Sequence, residues 1–170
     1  MTERRRPRAA LLDRDGTLVE DVPYNGDPGQ VRPVAGARES LDALRAAGLK
    51  VGIVTNQSGV GRGIITLAQM EAVNARIDAL LGPFDGWFVC PHAPGDDCAC
   101  RKPKPKLLLD AARSFGLDPR ECVYVGDKDE DAEAASNAGM AMLRVGPSLA
   151  LAQACERIVE GVGSGVGPAT

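Results

Sequence analysis

Three scarcities narrow the possibilities before any motif is read. The chain holds a single histidine, His92, in 170 residues, so histidine acid–base catalysis has one candidate at most. It lacks an excess of basic charge: the net charge is −3, which gives no general reason to expect nucleic acid as a partner. It lacks a long apolar run near its start. Met1 to Arg8 is basic, and only four apolar residues follow before Asp13, far short of a signal-peptide core or a membrane span. A solvated N-terminus, no membrane partner and a cytoplasmic location are the expectations. No internal repeat is present either.

What is there suits one compact, soluble domain. Hydrophobic residues make up 44% and charged residues 25%, and the length suffices to bury a core without disulfides. The expected domain runs over 9–160, with 1–8 and the glycine-rich 161–170 as flexible termini. A monomer is the working expectation. Five cysteines are an odd number, and Cys90, Cys98 and Cys100 crowd with His92 into eleven residues. In a cytoplasmic chain that clustering favours metal over disulfides, with unliganded loop cysteines as the alternative. Cys122 and Cys155 lie in apolar surroundings and read as buried small hydrophobes.

Strand and helix patterns alternate from end to end. Strands are expected at 9–12, 50–54, 87–89, 122–125 and 140–145, and helices at 35–47, 66–81, 106–115, 130–137 and 148–159. Residues 20–33 hold two glycines and three prolines and read as a loop. Thr66 is a plausible N-cap. The alternation implies an α/β fold, a doubly wound, mainly parallel sheet between two helix layers. Ligands in such sheets bind beyond the carboxyl ends of the strands. The groups that fall on that edge are Asp13-x-Asp15, Thr55-Asn56-Gln57-Ser58 and Gly126-Asp127.

Asp13 and Asp15 sit two apart, which in extended chain puts both carboxylates on one face. They repel there unless a cation or shared proton intervenes. Magnesium takes oxygen ligands, commonly one or two carboxylates plus substrate phosphate, and Asp127 is placed to add another. A phosphate dianion also needs a lysine and a hydroxyl, for which Lys102 and Thr55 are the candidates. Gly16 and Gly59 let backbone approach a ligand closely. Taken singly, each of these groups is ordinary turn, cap or surface chemistry. Their order at successive strand ends is what points to a site.

Four strings carry a resemblance: Leu12-Asp13-Arg14-Asp15-Gly16-Thr17, Val54-Thr55-Asn56-Gln57-Ser58-Gly59, Arg101-Lys102-Pro103 and Val125-Gly126-Asp127-Lys128-Asp129-Glu130-Asp131. They resemble the haloacid dehalogenase superfamily of phosphotransferases, from about Leu11 to Val145. The resemblance implies a Rossmann-like three-layer sandwich. It implies Asp13 as nucleophile through an aspartyl-phosphate and Asp15 as acid/base, with Thr55 and Lys102 holding the phosphoryl oxygens. Magnesium would be held by the Asp13 carboxylate, the Asp15 backbone carbonyl and Asp127. Asp131 fits the second acidic position of the last motif, supporting the site without ligating.

With Cys90-Pro-His92 and Cys98-Ala-Cys100 included, the chain looks like the heptose 1,7-bisphosphate 7-phosphatase and histidinol-phosphate phosphatase family. That implies a structural zinc on Cys90, His92, Cys98 and Cys100, a closed four-ligand set that pins the loop delivering Arg101 and Lys102. It implies no large cap domain and a small phosphorylated sugar as substrate. Asp21, Val22, Pro23 and Tyr24 would line the sugar pocket, with Asn56, Gln57, Ser58, Arg101 and Lys128 also toward substrate. Arg101 would grip the phosphate that stays. Two features depart from the family: the five-residue Ala93–Asp97 segment is short, and Lys106 stands where glycine is usual after the Pro-x-Pro. An exposed lysine is the expected meaning of the second. Removal of the 7-phosphate of D-glycero-D-manno-heptose 1,7-bisphosphate is the leading expectation. A histidinol-phosphate phosphatase and a phosphoacceptor signalling module remain open beside it.

Overall fold

The structure, a computed structural model, describes residues 6–164. Five strands form one sheet: β1 (Ala9–Leu12), β2 (Lys50–Asn56), β3 (Gly86–Cys90), β4 (Cys122–Gly126) and β5 (Ala141–Arg144). All neighbours are parallel, in the order β3-β2-β1-β4-β5. The helices are α1 (Ala37–Ala46), α2 (Ser58–Gly61), α3 (Leu67–Leu81), α4 (Lys106–Ser114), α5 (Asp129–Ala138) and α6 (Leu151–Ser164).

β1 lies at the centre and is apolar on both faces, because both faces are covered. Ala10 and Leu12 join the core built with α1, α3 and α6, through Leu41, Leu44, Val73, Ile77 and Ile158. Ala9 and Leu11 point the other way, to Leu107, Leu108, Ala111 and Ala135 of α4 and α5. Each fully buried leucine contributes roughly 1.5–3 kcal/mol. Local signals agree with the packing. Thr66 Oγ1 accepts the Gln69 N–H at 3.1 Å and Gln69 Oε1 accepts the Thr66 N–H at 2.8 Å, a complete capping box that starts α3. Gly48, at φ 84°, ends the α1 turn in a conformation that suits glycine.

The chain runs from β1 outward through β2 to β3, then returns to place β4 on the other side of β1. The switch point therefore lies between β1 and β4, where open α/β sheets bind ligands. Asp13 follows β1 there, its amide bonded to the Val125 carbonyl at 2.9 Å, and Asp127 follows β4.

Several boundaries differ from expectation. β2 extends two residues past Val54, so Thr55 and Asn56 belong to the strand, and the short α2 turn follows unannounced. Arg8, expected in a loose terminus, donates its N–H to Glu121 at 2.7 Å and accepts from Lys50 at 3.0 Å, which extends the β1 pairing. α6 continues through Gly161 and Gly163 to Ser164. The helix packs on α1, and it continues in spite of the poor helix propensity of glycine. The rest of the expected flexible ends, 1–5 and 165–170, lies outside the described residues. Among the described residues no inserted cap domain occurs, and no helix is long and apolar enough to cross a membrane.

Candidate active site

Lys102 forms the floor of the site. Its ammonium is almost fully buried, at 1% exposure. It donates to Asp131 Oδ1 at 2.6 Å, Tyr124 Oη at 2.8 Å, Asp13 Oδ1 at 3.2 Å and the Val54 carbonyl at 3.4 Å. Burial works against its charge, but Asp13 and Asp131 more than offset this and hold its pKa above the ordinary lysine value. The backbone on which it sits is fixed as well. The Asn56 side chain accepts the Lys102 N–H at 3.0 Å and donates to the Lys102 carbonyl at 3.2 Å.

Asp131 organises this floor from α5. It is completely buried. Its Oδ1 takes Lys102 and the Tyr124 hydroxyl, the latter at 3.0 Å. Its Oδ2 takes the N–H groups of Asp127 at 3.2 Å and Lys128 at 3.1 Å. Asp13, Asp127 and Asp131 offer carboxylate oxygens within 4.8 Å of one another. Because Asp131 is engaged on both oxygens, Asp13 and Asp127 are the carboxylates left for a cation.

Those two carboxylates suit a hard divalent ion. Burial pushes Asp13 up to about 7; Lys102 pulls it back, and Asp131 and Asp15 add to the rise. Burial likewise raises Asp127, with Lys128 opposing and Asp131 adding. The protein alone thus leaves both anions short of positive charge, and an oxygen-only donor set is what magnesium takes. Gly16 serves this arrangement differently from expectation. At φ 81° a Cβ there would lie 2.4 Å from the Asp127 carboxylate, so the missing side chain makes room for Asp127 rather than for a ligand. Gly59 likewise yields to the Tyr24 ring, 3.0 Å from where its Cβ would stand.

Asp15 has a setting of its own. The chain turns after Asp13 instead of continuing extended, and the Asp15 carboxylate lies in the fork of Arg14. Arg14 Nε reaches both Asp15 oxygens at 3.1 Å, and Nη2 reaches Oδ2 at 3.0 Å. Gln57 Nε2 donates to the same Oδ2 at 2.8 Å and to Thr55 Oγ1 at 3.0 Å. The repulsion between Asp13 and Asp15 expected from their spacing is therefore answered in part by Arg14. Gln57 borders the cavity, but its amide is engaged with the protein.

Close in the chain to Asp13, Thr55, Lys102 and Asp127, the residues Arg14, Asp15, Asn56, Arg101 and Lys128 border a cavity of about 280 Å³, whose lining includes none of those first four. The positions expected to face substrate all border it: Asp21, Val22, Pro23, Tyr24, Asn56, Gln57, Ser58, Arg101 and Lys128. Tyr24 holds a positive φ of 51°, uncommon for a bulky residue, with Arg62 over its ring at 5.9 Å. Arg101 Nη1 is buried and has no hydrogen-bond partner, a costly state for a cation's donor unless a ligand satisfies it. A groove of about 530 Å³ along β5 is larger, but among the described residues no metal-holding cluster of carboxylates or thiols accompanies it.

The loop carrying Arg101 and Lys102 starts from the cysteine cluster. Cys90 Sγ lies 3.7 Å from Cys98 Sγ and 3.5 Å from His92 Nδ1, and His92 Nδ1 lies 3.3 Å from Cys100 Sγ. Zinc bonds of about 2.3 Å to sulfur and 2.0–2.1 Å to nitrogen give tetrahedral edges of about 3.8 Å and 3.5 Å. The Cys₃His set fits that ion. Partial burial opposes ionisation of Cys98, but the N–H groups of Arg101 and Cys100 outweigh it and hold the thiol at about 6. Cys122 and Cys155 are buried and pushed up to about 12 by burial, as expected of inert core thiols.

Sequence reasoning missed Arg14, Asn74, Tyr124 and Glu130. Arg14 hid between two aspartates, and Asn74 on α3 carried no motif. Tyr124 reads as a strand residue, yet its hydroxyl bonds the floor and its ring lies under the Lys102 ammonium at 5.4 Å. Glu130 borders the cavity from the first turn of α5, where an acidic residue also reads as ordinary helix-start chemistry.

Comparison with known proteins agrees with this geometry. The family described as haloacid dehalogenase-like hydrolase matches residues 24–139. The D-glycero-beta-D-manno-heptose-1,7-bisphosphate 7-phosphatase of Pasteurella multocida is 40% identical over 134 residues, 73% of each chain. The enzyme of the same name from Pseudomonas aeruginosa is 38% identical over 130 residues, 74% of this chain and 73% of its own. A crystal structure of D,D-heptose 1,7-bisphosphate phosphatase from B. bronchiseptica, complexed with magnesium and phosphate, superposes with a TM-score of 0.82 at 30% identity. It covers 89% of this chain and 98% of its own. With the sheet order, the four ordered motifs and these relatives in agreement, the chain belongs to the haloacid dehalogenase-like hydrolases.

Proposed function

We propose that this chain is a magnesium-dependent phosphatase that removes the 7-phosphate of D-glycero-β-D-manno-heptose 1,7-bisphosphate. A single catalytic domain over 9–160 would act as a cytoplasmic monomer. The named relatives supply the sugar and its anomer. The observation that carries the choice of a bisphosphate is Arg101 on the border of the cavity, a guanidinium whose buried Nη1 has no protein partner. With Lys128 on the same cavity, it offers cations for a second phosphate that Lys102, locked in the floor, cannot serve.

In this reading an Asp13 oxygen attacks phosphorus, and the bond from phosphorus to the C7 oxygen breaks. Asp15 gives its proton to the departing alkoxide. A water then attacks the aspartyl-phosphate, Asp15 takes the water's proton, and inorganic phosphate leaves with Asp13 restored. Thr55 and Lys102 hold phosphoryl oxygens through both transfers. Asp13, Asp127 and the Asp15 carbonyl would hold magnesium, which would supply charge neutralisation on the phosphoryl group. Cys90, His92, Cys98 and Cys100 would hold zinc with four protein ligands, and such an ion would serve the loop's structure rather than the chemistry. Asp21 to Tyr24 border the sugar.

The test is turnover measured side by side on both anomers of the heptose bisphosphate and on histidinol phosphate. The β anomer is expected to react fastest, with one phosphate released and the anomeric phosphate retained. Faster turnover of histidinol phosphate would overturn the substrate while leaving the phosphoryl chemistry in place.

A further inference from the structure

We propose that Arg14 is a positioning residue for proton transfer: it holds Asp15 through Oδ2 and leaves Oδ1 as the atom that gives and takes the leaving-group proton. The inference rests on the reading of Asp15 as the acid/base.

The hydrogen bonds on the two oxygens are unequal. Oδ2 receives Arg14 Nη2 at 3.0 Å, Gln57 Nε2 at 2.8 Å and a share of Arg14 Nε at 3.1 Å. Oδ1 receives only the other share of Nε, also at 3.1 Å. A carboxylate oxygen has two good acceptor directions. Oδ2 is therefore filled, and Oδ1 keeps one open, on a side chain that borders the substrate cavity.

The clamp is itself referenced to rigid structure. Arg14 is buried, at 1% exposure. Its Nη1 donates to Asn74 Oδ1 at 2.8 Å and its Nη2 to Gln57 Oε1 at 2.9 Å. Asn74 sits on α3 between turns whose Val73 and Ile77 are in the core, so the guanidinium cannot drift with the loop that carries it. Gln57 also ties the acid/base to Thr55. One network thus fixes the angle between the atom that holds the phosphoryl group and the atom that meets the leaving oxygen. Orientation of this kind is what proton transfer in a transition state requires.

A buried arginine that only braces its loop would have the same burial, so stability does not separate the two roles. Leaving-group chemistry does. p-Nitrophenyl phosphate departs as a stable phenolate that needs no proton, whereas the sugar phosphate departs as an alkoxide. kcat/KM is the quantity to compare, because it reports the first phosphoryl transfer for both substrates. The variants are Arg14→Met and Asn74→Leu, with Asp15→Asn as reference. Asp15→Asn should lose on the order of 10²-fold more on the sugar phosphate than on the aryl phosphate. Arg14→Met should lose at least about 10-fold more on the sugar phosphate, and Asn74→Leu should shift the same way by less. If Arg14→Met does not fold, Asn74→Leu decides alone. Equal losses on both substrates in the Arg14 and Asn74 variants, with the difference kept in Asp15→Asn, would overturn the positioning role only. No difference in Asp15→Asn would remove the acid/base reading and this inference with it.

Discussion

Arg101 and Lys102 are neighbours in the chain and opposites in environment. Lys102 is buried at the floor, with four partners that include two carboxylates and a hydroxyl. Arg101 is half-buried at the rim and leaves Nη1 with no partner. The floor is wired before substrate arrives: Asp131 holds Lys102, Tyr124 and the Asp127 turn at once. The rim is a set of exposed side chains around a cavity, with Asp21, Tyr24 and Lys128 all open to solvent. Preorganised charge lowers the barrier of a fixed reaction. Groups whose hydrogen bonds await a ligand choose which molecule undergoes it. Damage to the floor should therefore fall on the rate for every substrate, and damage to the rim on discrimination among them.

The largest effect is expected from Asp13→Asn. The amide keeps the shape but cannot attack phosphorus, so kcat should fall by on the order of 10⁴-fold or more on every phosphate ester. The fold should not suffer. Burial is the main force on the Asp13 carboxylate and raises its pKa, with Lys102 opposing, so removing the charge relieves a desolvation cost. Lys102 keeps its 2.6 Å bond to Asp131. Phosphate release and a thermal melt check both halves. An active variant would rule out Asp13 as nucleophile, and an unfolded one would show that Asp131 alone does not satisfy Lys102.

This division also explains what could be read in advance. Asp13, Thr55 and Asp127 were legible because each lies in a short motif at a strand end, and the parallel sheet brings strand ends together. Lys102 was legible from its own short motif, on the loop between β3 and α4. The cysteine–histidine cluster was legible as a group favouring metal, while the full zinc set rested on the family resemblance; the structure brings the four side chains together. What escaped was every contact that depends on where a side chain turns. Period-two reasoning put Asp15 beside Asp13, but the backbone turns after Asp13 and Arg14 takes the Asp15 carboxylate. Asn56 and Gln57 were assigned to substrate, and they do border the cavity. Their amides are nonetheless engaged with Lys102 and Asp15. The continuation of α6 through two glycines escaped for another reason: local propensity points the other way, and α6 is a helix that packs on α1.

An intermediate effect is expected from removing zinc, since its loop joins floor and rim. Metal analysis should find about one equivalent per chain, by the four-ligand count. Stripping it should lower kcat by about 10- to 100-fold, as for other supporting shells, because Lys102 stays tied by Asn56 on the strand side. Far-UV circular dichroism should barely change, since the two apolar cores are built from the sheet and helices. A protein with fully reduced thiols and no tightly held zinc would remove the metal from this loop. Loss of the sheet on stripping would show that the loop supports the core as well as the site.

The narrowest of these effects, confined to KM and to the bisphosphate, and the one that tests the contrast most directly, is expected from Arg101→Ala. A charge-assisted hydrogen bond is worth about 1.5–3 kcal/mol, so loss of the Arg101 contact should raise KM for the heptose bisphosphate by about 10- to 100-fold. kcat should change little, because the phosphate gripped is not the one transferred. For p-nitrophenyl phosphate, which has no second phosphate, kcat/KM should stay within about twofold. Stability should hold or rise slightly, since the variant removes a buried donor that has no partner in the protein. Equal losses on both substrates would place Arg101 in the floor with Lys102, acting on the transferring phosphate, and the line drawn between these two neighbours would have to move one residue back along the chain.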